Sequence, residues 1–105
     1  MRVDRNQDVY IPNAFSPFNE DGFNDFFYVY TKEGVVSQIQ SLQVYDRWGN
    51  QVFLNENFSP NEATSGWNGT FRNERMQTGV FVYYTIVEFQ DGSTELFKGD
   101  VTLME

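Results

Sequence analysis

The sequence predicts an all-β fold, and two features of its 105 residues support that prediction. Aromatic residues make up 18% of the chain, and aromatic and β-branched side chains favour strands over helices. Short apolar runs are separated by Gly, Asn, Asp and Pro, and no segment repeats apolar residues at helical spacing. Each run can therefore be assigned to a strand.

The strands follow the apolar runs in order. We predict them at 9–15, 26–30, 39–47, 51–54, 70–72, 80–89 and 94–103. Pro12 indicates an edge or a bulge in the first strand, because proline cannot donate a ladder hydrogen bond. Gly49-Asn50 and Asp91-Gly92 predict hairpin turns. Seven strands with several hairpins are typical of an immunoglobulin-like β-sandwich of about seven antiparallel strands.

The last two strands carry the clearest patterns. The run 80–89 is apolar on both faces, so we expect a central strand that is covered on both sides. In the final strand, Phe97, Gly99, Val101 and Leu103 form the inward set. Gly99 predicts a bulge, or a position where a large ring packs over the backbone.

Charge and composition exclude several classes of function. The net charge of −8 argues against a nucleic-acid ligand, which requires a basic surface, and an anionic membrane would repel the chain. No apolar run is long enough for a membrane helix, so we expect no direct membrane insertion. The chain has no Cys and no His, which removes thiolate, zinc and imidazole chemistry. We expect residues 1–105 to be one domain excised from a larger secreted protein.

The polar loop 19–25 is the best candidate for a bound ion. Calcium takes six to eight oxygen ligands, and Asx residues around a glycine turn can supply them. The ligands would be the side chains of Asn19, Asp21 and Asp25 and the carbonyl of Phe23. The alternative, which we favour, is an Asx-turn loop whose side chains cap their own backbone. No cofactor is required, and calcium is the one candidate.

Two tryptophans in turns allow two interpretations. Trp48 and Trp67, each flanked by Gly and Asn, could be sugar-stacking platforms of an adhesive or carbohydrate-binding domain. The interpretation that we favour is that the two rings pack over the ends of the sandwich, because tryptophan is usually buried. Asp46 and Arg47 could likewise recognise a partner carboxylate or form a local ion pair. Nothing groups the carboxylates into a catalytic cleft, so we predict no enzyme.

Four segments carry recognisable motifs in this order: 10–17 with 21–25, 44–53, 66–69 with 78–83, and 98–103. The motif residues are Pro12, Asn13, Phe15, Gly22, Asn24, Arg47, Trp48, Gly49, Trp67, Gly69, Gly79, Tyr83, Lys98 and Gly99. Together the four segments resemble one family, the gliding motility-associated C-terminal domain, or type B sorting domain of the type IX secretion system. One departure is visible, because Phe18 looks like an insertion and Glu20 stands where the family has glycine.

The resemblance implies a C-terminal sorting signal that directs a larger protein through the type IX translocon to the cell surface or the medium. It implies an immunoglobulin-like sandwich, recognised by the translocon and by an outer-membrane accessory protein of its own. We expect a monomer. We expect the partner to contact the final segment at Lys98, Val101 and Leu103, because a sheet edge offers unpaired backbone groups.

Overall fold

The computed structural model describes residues 9–17 and 26–104 and confirms the all-β prediction. The strands of these residues are β1 (Val9–Tyr10), β2 (Ala14–Phe15), β3 (Tyr30–Thr31), β4 (Val36–Tyr45), β5 (Gln51–Phe58), β6 (Thr70–Phe71), β7 (Glu74–Arg75), β8 (Gly79–Phe89) and β9 (Thr94–Leu103). A short 3-10 helix lies at Ala63–Ser65. None of the described residues forms a helix long and apolar enough to cross a membrane.

A five-stranded sheet in the order β2-β9-β8-β4-β5 forms the main layer. Its four long strands are antiparallel, whereas β2 runs parallel to β9 and pairs Phe15 with Leu103. The run 80–89 was predicted to be a central strand, and β8 has two strands on each side. The predicted turn at Asp91-Gly92 is also present, and the Phe89 amide donates to the Ser93 carbonyl at 2.8 Å.

A smaller layer lies on one face of this sheet. It contains the antiparallel pair β1-β3 and an antiparallel bridge between Phe27 and Trp67, whose two backbone hydrogen bonds measure 2.7 and 2.9 Å. In an immunoglobulin-like sandwich, strands C, F and G form one sheet and strands A, B and E belong to the other. Here β4, β8 and β9 lie in the main sheet and β1 and β3 lie in the smaller layer, which agrees with that arrangement.

The core fills the space between the layers. One cluster of buried residues joins Phe27 and Trp67 to the main sheet, with the Trp67 and Phe81 rings 4.9 Å apart. A second cluster, towards the other end, contains Val9, Val29, Val36, Ile39, Val87 and Phe89. Burying one side chain of this size stabilises a fold by about 1.5–3 kcal/mol. These clusters are therefore the main source of stability in a domain without disulfides.

Several predicted strand limits are wrong. The predicted first strand, 9–15, is two strands in different layers, and Pro12 lies where the chain crosses between them. The predicted strand 26–30 is reduced to β3 and the Phe27 bridge. The strand predicted at 51–54 continues to Phe58 as β5, because it pairs with β4 along that whole length. Nine strands in the described ranges replace the predicted seven, and five of the nine are only two residues long.

The prediction that 80–89 is covered on both sides is also wrong. The inward side chains of β8, such as Phe81 and Val87, are buried. On the opposite face Val80 is 54% exposed and Tyr84 is 37% exposed, because no described element packs there. The main sheet therefore has a solvent-facing outer surface that is partly apolar.

The Tyr83 ring packs over Gly99, as the sequence predicted for a ring and a glycine backbone. The two residues are directly paired across β8 and β9. A Cβ atom at Gly99 would lie 2.9 Å from the Tyr83 hydroxyl oxygen and 3.1 Å from two ring carbons. Glycine is required here because the ring occupies the space of a side chain.

Replacing Trp67 with alanine should lower the free energy of unfolding by about 3–5 kcal/mol, because the indole fills the space between the layers. Chemical denaturation measures this change. Trp48→Ala removes an exposed indole of the same size, so this matched control should cost less than about 1 kcal/mol. Equal losses for the two variants would contradict the core assignment of Trp67.

Gly99→Ala should destabilise the domain by about 1–3 kcal/mol through overpacking against Tyr83. In a Tyr83→Ala background the same substitution should have little cost, because the obstructing ring is gone. Denaturation of the four proteins of this double-mutant cycle tests both statements. An unchanged cost of Gly99→Ala without the ring would disprove the steric explanation.

Candidate functional site

The turn between β4 and β5 is organised by Asp46. Its carboxylate accepts hydrogen bonds from the Trp48 amide at 2.9 Å, the Asn50 amide at 2.8 Å and the Asn50 side-chain amide at 3.1 Å. Desolvation alone would raise the pKa of the Asp46 carboxyl, but the hydrogen bonds from Asn50, Trp48 and Gly49 together lower it. Asp46 thus holds the turn in shape as a carboxylate.

Trp48 and Arg47 project from this turn as a pair. The Arg47 guanidinium carbon lies 4.9 Å from the centroid of the Trp48 ring, a cation–π distance. Trp48 is 74% exposed, so the prediction that it packs into the sandwich is wrong. Its position at the tip of a hairpin, held outward by Asp46, explains the difference. The Asp46 carboxylate accepts hydrogen bonds from Trp48 and Asn50. The Arg47 guanidinium stacks on the Trp48 ring instead of forming the expected ion pair with Asp46.

Trp67 has the opposite environment, and here the packing prediction is confirmed. Its side chain is 1% exposed and contacts Phe15 and Phe81, and its Nε1 donates to the Thr70 carbonyl at 2.9 Å. The polar end of the indole is therefore satisfied inside the fold. Trp67 is a core residue and is not available to a ligand.

A pocket of about 210 Å³ opens beside the exposed pair. It lies between the turn and the segment that leads into β8. The lining residues are Asp46, Arg47, Trp48, Arg75, Met76, Gln77, Thr78, Gly79, Val80 and Phe81. Gly79 has a φ of +154°, which side-chain-bearing residues rarely adopt, and a Cβ atom there would lie at an ordinary contact distance of 3.9 Å from an Arg47 Nη atom. Sequence reasoning selected Arg47, Trp48 and Gly79 as motif residues, but it did not bring them together or add Arg75, Met76 and Val80.

The other motif residues have structural positions in the described chain. Pro12 and Phe15 are buried, and the Asn13 carbonyl accepts the Thr102 amide at 2.8 Å, which joins this segment to β9. Gly69 is buried with a positive φ, and its carbonyl accepts the Met76 amide at 2.9 Å. These residues shape the fold and do not form a second site.

The expected partner contacts at the final strand need a correction. Val101 and Leu103 are fully buried, because the alternation of β9 turns them towards the core. Only Lys98 of the three is exposed. Neither buried side chain can reach a partner of the folded domain.

The predicted calcium ligands Asn19, Asp21, Phe23 and Asp25 lie outside the described residues, as do the motif residues Gly22 and Asn24. It stays a prediction. Within 9–17 and 26–104, no group of three or more acidic residues is placed to hold a metal ion.

Comparison with known families shows which family the chain belongs to. The profile of the type IX secretion signal domain matches residues 9–103, which run from the first to the last strand. The chain belongs to this family. A search among curated proteins found no match. Type IX secretion signal domains mark proteins for export to the cell surface or the extracellular space, so the predicted sorting function and localisation are confirmed.

The family match also bears on the adhesive alternative, which it does not support. An exposed tryptophan was the feature expected of an adhesive domain, and Trp48 is exposed. One face of its ring carries the Arg47 guanidinium. Exposure of Trp48 therefore fits an adhesive surface and a protein-binding surface alike, and only the family match separates them.

The Asp46 turn should weaken in acid. Because the pKa of Asp46 is lower in the folded domain than in the unfolded chain, its contribution to stability is complete above the unfolded value of about 3.9. It is lost as the pH falls through the folded value. From about pH 5 to about pH 2, wild type should therefore lose more stability than Asp46→Asn, measured by denaturation at each pH. Identical pH profiles for the two proteins would contradict this.

Proposed function

We propose that this signal domain is recognised as a folded shape by the type IX translocon and by an outer-membrane accessory protein. The observation that carries the proposal is the extent of the family match, which covers the whole sandwich and not a short terminal peptide. Recognition of a linear tail would not require nine strands. A monomeric domain presenting one surface to its partner fits this role.

The pairing of the two ends of the matched region supports recognition of the folded domain. Phe15 near its start pairs with Leu103 at its end, and both side chains are buried in the same cluster. The buried side chains of the final strand therefore reach these contacts only in the folded sandwich. A receptor that contacts β9 or its neighbours also tests whether the domain is folded.

The composition of the chain and the lining of the pocket favour binding over catalysis. The chain has no Cys or His to act as a nucleophile or an imidazole base. Of the pocket residues, the one carboxylate belongs to Asp46, and it accepts hydrogen bonds from its own turn. We infer that the domain acts by contact with protein partners and has no enzymatic activity of its own.

A reporter fusion tests the proposal. Residues 1–105 are fused to the C-terminus of a reporter with a normal export leader and expressed in cells with a functional type IX system. We expect the reporter at the cell surface or in the medium, and in the periplasm of a translocon-deficient strain. Retention of the wild-type fusion in the periplasm of competent cells would refute the proposal.

A folding variant separates recognition of a shape from recognition of a linear segment. Trp67→Ala leaves the exposed surface and the final strand unchanged in sequence but removes the central core side chain. We expect its export to fall with its folded fraction, measured on the purified domain. Export at the wild-type level by a variant shown to be unfolded would contradict recognition of the fold.

A further inference from the structure

The described part of this acidic domain gathers positive charge at one pocket. The whole chain has a net charge of −8 and seven basic residues. Two of these, Arg47 and Arg75, line the pocket between the β4–β5 turn and β8, and its one carboxylate, that of Asp46, accepts hydrogen bonds from its own turn. A patch whose charge is opposite to that of a partner steers the partner to it and sets the partner's orientation. A negatively charged group is the ligand that this pocket would attract.

Arg47 and Trp48 have the properties of residues that dominate binding interfaces. Trp48 is 74% exposed and has no core role, and the guanidinium of Arg47 lies on its ring. Tryptophan and arginine are the residues most enriched among those that carry the binding energy of protein interfaces. The Asp46 hydrogen bonds fix the turn, so the backbone that carries the pair has little conformational freedom to lose on binding.

The opposite wall of the pocket, residues 75–81, presents apolar surface at Met76 and at Val80, which is 54% exposed. The pocket therefore offers a cation and an aromatic ring on one side and aliphatic surface on the other. This suits an acidic side chain that is next to an apolar one in the ligand.

Size and charge identify the class of ligand. The volume of about 210 Å³ is below the roughly 300–1,000 Å³ of small-molecule sites, and suits one or two side chains of a protein. An anionic lipid surface also carries negative charge, but it would meet a domain whose net charge is −8. The pocket continues into the exposed outer face of the sheet at Val80 and Tyr84, which can supply the remaining area of an interface.

We infer that the pocket beside Trp48 binds an acidic and apolar segment of the outer-membrane partner. A carboxylate of that segment pairs with the guanidinium of Arg47, and the adjacent apolar side chain packs between Trp48 and Val80. This inference rests on the proposed function and deepens it, because it places the contact surface at one end of the main sheet. The final strand supplies none of these residues.

The test compares matched variants in the reporter fusion. Arg47→Glu reverses the charge in the pocket, and Trp48→Ala removes the ring. Arg72→Glu is the control, because Arg72 also stacks on an aromatic ring, Phe71, at 4.9 Å but does not line the pocket. We expect the first two variants to lower export by about tenfold or more, the loss typical of a dominant interface residue. The control should export like wild type.

Two measurements separate a binding defect from a folding defect. The purified Arg47→Glu and Trp48→Ala domains should unfold at the same denaturant concentration as Arg72→Glu. Suppressors of Arg47→Glu should then be selected in the export assay. We expect them to replace an Asp or Glu of an outer-membrane protein with Lys or Arg, since reversing both charges restores the pair.

The outcomes distinguish this inference from the proposed function. If wild type is not exported, the proposed function itself fails. If wild type, Arg47→Glu and Trp48→Ala are all exported equally, the sorting function stands and the pocket is not the contact. Vesicles containing phosphatidylglycerol provide the remaining comparison, and binding to them that depends on Arg47 would assign the pocket to a lipid headgroup and overturn the inference.

Discussion

The packing of Trp67 between the two layers is the interaction on which the rest of the structure depends. Two backbone hydrogen bonds join Trp67 to Phe27, and its indole contacts Phe15 and Phe81. A domain of this size buries only about two-thirds of its unfolded surface, and this one has no disulfide to compensate. The small layer has few ladder bonds of its own, so this aromatic cluster is what holds it against the main sheet.

The consequences of that cluster reach the exposed surface. Phe81 packs on Trp67 through its inward face, and this fixes β8, whose first residues form one wall of the pocket. On the other wall, the Asp46 hydrogen bonds hold the turn that carries Arg47 and Trp48. The two walls come from distant parts of the chain, and each is rigid for a separate reason. Together they define the shape of the proposed contact surface.

Local patterns in the sequence were sufficient where structure depends on neighbours along the chain. Strand β9 has the predicted limits 94–103, because its alternation and the Asp91-Gly92 turn are both local signals. The ring over Gly99 could be expected because a glycine in a strand leaves space that a cross-strand side chain can fill. The sorting function came from the resemblance of four segments and not from any reactive group.

Long-range pairing was what the sequence did not reveal. Trp48 and Trp67 have similar neighbours, yet one is exposed and the other is buried, because only Trp67 meets Phe27 from a distant segment. The first predicted strand divides at Pro12 because its two halves find partners in different layers. The pocket was missed for the same reason, since Arg75 and Val80 join Arg47 only through the pairing of β4 with β8.

The parallel pairing of β2 with β9 has a consequence for biosynthesis. Among the nine described strands the ribosome makes β9 last, yet β9 occupies an interior place in the sheet, between β2 and β8. A polypeptide that stops short of residue 94 leaves one side of β8 unpaired and gives Phe15 no strand to lie beside. Prematurely terminated chains therefore lack the completed sandwich, and the fold itself acts as a check that translation has reached the end of the domain.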